Sequence, residues 1–234
     1  MRILITGASG AIGLAAAKRL AAAGHELVLQ TYRQEALLEQ MIEEWTGKHQ
    51  VLTANLAIEE DLQTFCAALP AVDAFVHAAG TSYSGLLIDQ SAGSMEELWK
   101  LHVDAMMRIS QFLTRLKPFD APLAIVVISS VLGEQGAAGE VVYSTCKAAQ
   151  LGFIKAYSKE LGAMNGRINA ITPGWIDTPM NAIFSDEEKS EAIAEIPAGR
   201  FGTAEEIASA IQYLIEPESA YVSGAILKID GAWM

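Results

Sequence analysis

A doubly wound α/β domain with a seven-stranded parallel sheet is predicted for this 234-residue chain by three features. Apolar, β-rich runs alternate with longer stretches of helical period, the runs are apolar along their whole length, and a glycine-rich turn follows the first of them. Strands buried on both faces need helices on both faces, and a strictly alternating order supplies them.

The first strand is predicted over residues 2–6 (RILIT), and the alanine- and leucine-rich helix over 12–23 follows its glycine turn. Strand 26–32 (ELVLQTY) precedes helix 35–45, where Leu38, Ile42 and Trp45 recur at helical spacing. After strand 50–54 comes helix 59–69, whose opening Glu59, Glu60 and Asp61 suit the positive end of a helix dipole. Strand 72–77 leads to one long helix over 95–116, and strand 123–129 (LAIVVIS) to a second over 141–164. Strand 168–172, helix 204–215 with Ile207, Ile211 and Leu214 on one face, and strand 225–230 complete the set. Residues 178–197 read as one long irregular segment, suited either to a substrate-binding lid or to a solvated acidic surface helix. No linker, repeat or low-complexity stretch divides the chain, so residues 1–234 read as a single domain.

Half the residues are apolar and the mean hydropathy is +0.26, enough for a sizeable core. No apolar run reaches the roughly 18 residues that would suggest a membrane span. The opening MRILITGASG has no charged-then-apolar signal pattern and reads as strand and turn. Cys66 and Cys146 make no disulfide framework, and no cluster has metal-ligand spacing, so a reducing cytoplasm without a metal site is expected. A net charge of −12 argues against nucleic acid as a partner.

TGASGAIG places Gly7, Gly10 and Gly13 between a strand and a helix. Such a turn lets a pyrophosphate approach backbone N–H groups at a helix N-terminus, where the dipole favours negative charge. Gly7, Ser9, Gly10, Ile12 and Gly13 are therefore candidate dinucleotide contacts. The end of the second strand, LVLQTYRQ, has no carboxylate for a ribose 2′-hydroxyl and offers Arg33 to a 2′-phosphate, which favours NADPH over NADH. The other reading of Arg33 is an exposed residue at a helix start.

The chemistry is concentrated further on. Tyr143 and Lys147 stand four residues apart in YSTCK, and Ser130 lies thirteen residues upstream at the end of an apolar strand. A tyrosine is a poor acid at neutral pH, with a pKa of about 10. A lysine one helical turn away brings positive charge to the same face and favours the phenolate. A serine hydroxyl at a strand end can hold the oxygen that receives the proton, so the set suits proton transfer to a carbonyl or from an alcohol.

In order along the chain, TGASGAIG, HAAG (77–80), SSVLG (129–133), YSTCK (143–147), PGWIDTPM (173–180) and VSGAILKIDGAW resemble the short-chain dehydrogenase/reductase family over essentially the whole length. The resemblance implies a Rossmann fold, and within the family the chain is similar to the 3-oxoacyl-(acyl-carrier-protein) reductases. HAAGTSYSGLL, LHVD and SSVLGEQGAAGEVVYS resemble elongation factor P 5-aminopentanone reductases more narrowly. By position, the resemblance makes Tyr143 the general acid, Lys147 the residue that lowers its pKa and holds the nicotinamide ribose, and Ser130 the support for the substrate oxygen. It also implies that Pro173, Gly174, Ile176 and Thr178 form the nicotinamide end, Asn55 and Leu56 flank the adenine, and Ala78, Ala79 and Gly80 lie beneath the adenosine ribose. The resemblance further implies a homo-tetramer or homo-dimer, for which Met106, Met107, Phe112, Phe153 and Tyr157 are available unless they are ordinary core.

Three departures stand out. Ala11 replaces the family's middle glycine, HAAG replaces NNAG so that Ala78 lacks the asparagine's bonds, and His102 stands 28 residues before Ser130, where the family has an asparagine that positions a relay water. His102 can pass a proton itself, hold that water, or be a packed helix histidine. Cys146 suits apolar packing better than nucleophilic work. For the substrate, Glu140 is either a contact for a cationic group, as an aminopentanone carries, or a solvent-facing carboxylate. Arg108, Arg115 and Lys117 are the basic residues available to an acidic carrier protein. The substrate is accordingly a small carbonyl compound or a carbonyl carried on elongation factor P or acyl carrier protein. A reading of another class is a non-catalytic NADPH-binding sensor or scaffold, which has no need of Ser130, Tyr143 and Lys147.

Overall fold

Strand and helix alternate from the first residues of the computed structural model, which describes residues 1–179 and 185–234. β1 (Arg2–Thr6), α1 (Ala11–Ala22), β2 (Glu26–Thr31), α2 (Glu35–Glu43), β3 (His49–Thr53), α3 (Glu59–Ala68) and β4 (Ala74–His77) make the first half. The second half runs α4 (Ala92–Trp99), a π-helical turn (Lys100–Asp104), α5 (Ala105–Leu116), β5 (Leu123–Ile128), a short α6 (Leu132–Gln135) and α7 (Val141–Gly162). β6 (Gly166–Pro173), α8 (Asp186–Glu195), α9 (Ala204–Ile215) and β7 (Ile226–Ile229) follow. The strands form one seven-stranded sheet in the order β3-β2-β1-β4-β5-β6-β7, and every pairing is parallel. The predicted class is therefore the observed one.

The two-residue period of β1 sends Ile3 and Ile5 into one core layer and Leu4 into the other. The first layer is closed by α1 and α9 and takes in Leu20, Ile207 and Ile211. The second is closed by α3, α5 and α7 through Phe65, Ile109, Leu113 and Ile154. β1 sits where the strand order reverses, so the segments leaving β1 and β4 part in opposite directions and open a crevice at the carboxyl edge.

Two expectations are corrected. The helix predicted over 95–116 starts earlier, at Ala92, because the Ser91 hydroxyl caps the N–H of Ser94, and it is broken by the π-turn that contains His102. The segment 178–197 is not irregular throughout. Ser185 and Glu188 form a reciprocal capping box that starts α8, while residues 180–184 of that segment lie outside the described residues. No described helix is long and apolar enough to cross a membrane.

Candidate active site

At the first turn, Gly7 has φ +66°, and a Cβ there would lie 2.6 Å from the Ala79 Cα. Only glycine lets the turn after β1 lie flat against the turn after β4. The backbone N–H of Gly7 donates to Gln30 Oε1 (2.9 Å), and Gln30 Nε2 donates to the Ala54 carbonyl (2.9 Å). Buried Gln30 thus pins the glycine turn to the end of β3. Sequence reading missed it, and its signal was a polar residue in an otherwise apolar strand. Gly10 caps α1 with no side chain in the way, Gly13 is buried within α1 and Ile12 is half-buried beside it. Ser9 shares a hydrogen bond with Thr31 Oγ1 (2.9 Å).

Beyond β2, the Arg33 guanidinium lies over the Tyr32 ring, 4.7 Å from its centroid, and both side chains are exposed. Tyr32 also lines a cavity of about 380 Å³ with Leu52, Asn55, Asp61 and Phe65. Leu56 is buried. The Asn55 amide oxygen, which the resemblance offers to adenine, accepts from the N–H of Ala57 (3.1 Å), and the Asn55 N–H donates to Asp61 Oδ2 (3.2 Å). The carboxylate in this slot belongs to Asp61, a second residue that sequence reading missed. Ala78 is half-buried and Ala79 buried beside Gly7.

Ser130, Tyr143 and Lys147 meet at the carboxyl end of β5. Ser129 Oγ donates to the Lys147 carbonyl (3.0 Å), fastening α7 to the strand end. Ser130 Oγ accepts the N–H of Leu132 (3.1 Å), which leaves its proton to donate on the side of the Tyr143 phenol. Burial pushes the phenol up from its ordinary value, the Ser130 bond pulls it down, and the Glu140 charge pushes it up again. Lys147 is buried, donates from Nζ to the Ile128 carbonyl (2.8 Å), and stands 5.4 Å from the Tyr143 ring centroid. Burial pulls its ammonium down to about 7. The four-residue spacing does put both groups on one face. The phenol is nevertheless held above its ordinary value, because its burial outweighs the Ser130 hydroxyl and the Glu140 charge adds to it. Cys146 is buried against Leu98 and Val103, as apolar packing requires.

His102 is fully buried and meets the Tyr143 ring edge to face at 5.5 Å and 88°. Its Nε2 lies 2.8 Å from the Thr81 carbonyl, a contact that requires a proton on that nitrogen. Burial and the Lys147 charge hold the imidazole well below the ordinary histidine range, so it is neutral. A Cβ on Gly80 would fall 2.5 Å from His102 Cε1. Replacing Gly80 with alanine therefore forces the imidazole off Tyr143. We expect a loss of about 1–3 kcal/mol in unfolding free energy, read by urea denaturation, together with a fall in kcat.

The rim is made by residues 81–85 against 136–140. Gly85 N–H donates to the Gly139 carbonyl (2.8 Å), and the Glu140 carboxylate accepts from Ser82 Oγ (2.8 Å) and from Ser84 Oγ. Glu140 is half-buried, and both of its carboxylate oxygens accept rim hydroxyls. The basic trio offered to an acidic partner is also corrected. Lys117 is buried and donates to the carbonyls of Pro118, Phe119, Ala121 and Met164. Arg108 pairs with Glu59 and Asp104, leaving Arg115 exposed. Met106 belongs to the core, whereas Met107 is exposed and Phe153 stacks on Tyr157. After β6, buried Pro173 leads to Gly174, whose N–H donates to the Ile229 carbonyl (2.9 Å). Ile176 bridges to Gly202, and Thr178 is half-buried at the edge of the described segment.

A family model described as enoyl-(acyl carrier protein) reductase matches residues 7–233. A short-chain dehydrogenase/reductase from Serratia marcescens BCRC 10948 superimposes with a TM-score of 0.90, at 27% identity over 99% of this chain and 97% of that one. The chain belongs to the short-chain dehydrogenase/reductase family. Among curated members of that family it is 36% identical to the uncharacterized oxidoreductase YmfI of Bacillus subtilis, over 98% of this chain and 97% of the relative. It is 32% identical to the 3-oxoacyl-(acyl-carrier-protein) reductase FabG of Aquifex aeolicus, over 97% and 95% of the two chains. The crystal structure of BdcA in complex with NADPH matches with a TM-score of 0.88 at 25% identity, over 99% and 93% of the two chains. The chain is thus an oxidoreductase of this family, similar to the FabG reductases.

Proposed function

We propose that this enzyme is an NADPH-dependent carbonyl reductase in which Tyr143 gives the proton to the carbonyl oxygen. The observation that carries the proposal is the convergence of Ser130, Tyr143 and Lys147 at the end of β5, beside a glycine turn with no side chain in its path. A cofactor fits the residues present. The glycine turn lies flat on the Ala78–Ala79 backbone, leaving the N-terminus of α1 uncovered, and a cavity of about 380 Å³ opens at Tyr32, Asn55 and Asp61 beyond it. Gly7, Ser9, Gly10, Ile12 and Gly13 would hold the pyrophosphate, with Ala78, Ala79 and Gly80 along the adenosine. Pro173, Gly174, Ile176 and Thr178 would hold the nicotinamide end.

Bound there, NADPH supplies the hydride. Ser130 orients the carbonyl oxygen with its free proton, Tyr143 donates along that oxygen, and Lys147 stabilises the phenolate left behind. His102, neutral and fixed on Thr81, packs edge to face against the Tyr143 ring and holds it in place rather than relaying a proton. The family resemblance and the NADPH-bound neighbour support the cofactor, and exposed Arg33 is the residue to meet its 2′-phosphate. Arg33→Ala should lower kcat/KM for NADPH by roughly 10–100-fold, the worth of one charge-assisted bond, and leave NADH within about twofold. Steady-state assays with both cofactors check it.

For the substrate we propose the 5-aminopentanone group on modified elongation factor P. Supporting it are the half-buried Glu140 carboxylate at the rim, suited to an amine, and the loss of Lys117 and Arg108 as docking cations. The similarity to FabG favours a second reading, a 3-oxoacyl thioester on acyl carrier protein. The reading expects a homo-tetramer or homo-dimer in the cytoplasm, a single domain over 1–234, and a substrate lid over 178–197 that includes α8. Turnover of the modified protein with little reduction of a β-ketoacyl thioester is the expected result. Thioester reduction without action on the modified protein would overturn the narrower assignment.

A further inference from the structure

A buried amide side chain lies under the glycine turn with both of its ends bonded to backbone. The register of β1 on β2 ends at the pair Ile5↔Leu29, whereas β2 stays paired with β3 as far as Thr31↔Thr53. Past Leu29, β1 peels away into the turn, and Gln30 follows it with its side chain. Gln30 Oε1 accepts the Gly7 N–H and Nε2 donates to the Ala54 carbonyl, both at 2.9 Å. An N–H only donates and a carbonyl only accepts, so one orientation of the amide satisfies both partners. The neighbouring backbone runs parallel to this tie, with the Ala8 N–H on the Gln30 carbonyl (2.9 Å) and the Ala54 N–H on the Thr31 carbonyl (3.0 Å).

Each end of the amide leads to a different part of the nucleotide site. The Gly7 carbonyl accepts the Gly10 N–H (3.0 Å), and a Cβ at Gly13 would fall 2.2 Å from that same oxygen. Where Gly7 sits therefore decides how α1 starts, and with it the N–H groups that the first turn of α1 offers to a pyrophosphate. The Gly7 N–H is itself taken by Gln30 and is not among them. At the other end, Ala54 and Asn55 line the cavity of about 380 Å³ assigned above to the adenine. One buried side chain thus joins the two halves of the adenosine-pyrophosphate site.

We propose that Gln30 is a positioning residue for NADPH. It holds the pyrophosphate turn and the adenine cavity at a fixed separation before the cofactor arrives, so that binding does not have to order them. The proposal rests on NADPH lying along this turn and cavity. It places the effect of Gln30 on cofactor affinity rather than on the chemical step, because neither of its bonds reaches Ser130, Tyr143 or Lys147.

Hydrogen exchange at the Gly7 amide tests the preformed bond in the unmodified, cofactor-free protein. That amide should exchange at least roughly 100-fold more slowly than an exposed one, and exchange at the exposed rate would overturn the proposal whatever the variants do. Fluorescence titration of NADPH then reads the consequence for binding. Gln30→Met keeps the length of the side chain and loses both bonds. It should raise the NADPH Kd roughly tenfold, the worth of one hydrogen bond, while kcat at saturating cofactor stays within about threefold. Gln30→Glu adds a readout that a merely structural strut would not move. A neutral carboxyl accepts from Gly7 and donates to Ala54 as the amide does, whereas a carboxylate only accepts, and burial raises the carboxyl into an accessible pH range. Its Kd, divided by that of the parent at the same pH, should be within about threefold of unity near pH 5.5 and rise to roughly tenfold or more near pH 8.5. Folded variants that match the parent Kd across this range would overturn the proposal and leave the NADPH reading standing. A parent that binds no NADPH would overturn both.

Discussion

Tyr143→Phe should retain NADPH binding within about twofold and lose roughly 10³-fold in kcat, the range expected when one positioned proton donor is removed. The substitution takes away only the hydroxyl. The ring keeps its edge-to-face contact with His102, and Ser130 keeps its bond from Leu132. Binding and chemistry therefore separate in this variant. Fluorescence titration of NADPH and single-turnover kinetics on the same sample read the two. A non-catalytic NADPH sensor would lose nothing by this change, and turnover unaffected by it would remove Tyr143 from the mechanism.

Lys147→Met is the second large effect, because it touches stability and chemistry in opposite ways. Turnover should fall by roughly 10²–10⁴-fold, since the phenolate formed after proton transfer loses its nearest cation. Stability should show a signature that depends on pH. Burial lowers the Lys147 ammonium to about 7 in the folded protein, while in the unfolded chain it titrates at about 10.4. Between those values the unfolded state binds the extra proton, so this group makes folding more favourable as pH rises. Below about 7 both states are protonated and the full desolvation cost is present. The wild type should thus gain on Lys147→Met by up to about 1.4 kcal/mol per pH unit between pH 7.5 and 9.5. Paired denaturant melts at three pH values check the slope. Because it is a difference between two proteins, other titrating groups cancel. A flat difference would mean that burial does not lower the Lys147 ammonium in the folded protein.

Both effects are partly legible in the sequence. The strand–glycine–helix order locates the nucleotide turn, and the spacing of Ser130, Tyr143 and Lys147 places three side chains at one strand end. Fully apolar strands in alternating order point to the sheet. Contacts between segments distant in sequence are out of reach. Nothing local marks Gln30 as the link between Gly7 and Ala54, or Asp61 as the carboxylate beside Asn55. The π-turn is hidden because its residues keep a helical pattern on either side, and the bond that reaches it comes from Gln150 on α7, 48 residues away. Lys117 reads as a surface cation because four carbonyl partners, one of them 47 residues away, cannot be inferred from its neighbours.

The central claim is that this chain reduces a ketone by hydride delivery at the carbon while Tyr143 protonates the oxygen. The most direct test is a single turnover with NADPH deuterated at the transferable C4 position, followed by mass spectrometry of the product. The account predicts an alcohol with deuterium on the carbinol carbon from the modified elongation factor P or the β-ketoacyl thioester, formed roughly 10³-fold more slowly by Tyr143→Phe. Recovery of both carbonyl substrates unreduced by the wild type, with NADPH bound, would contradict it.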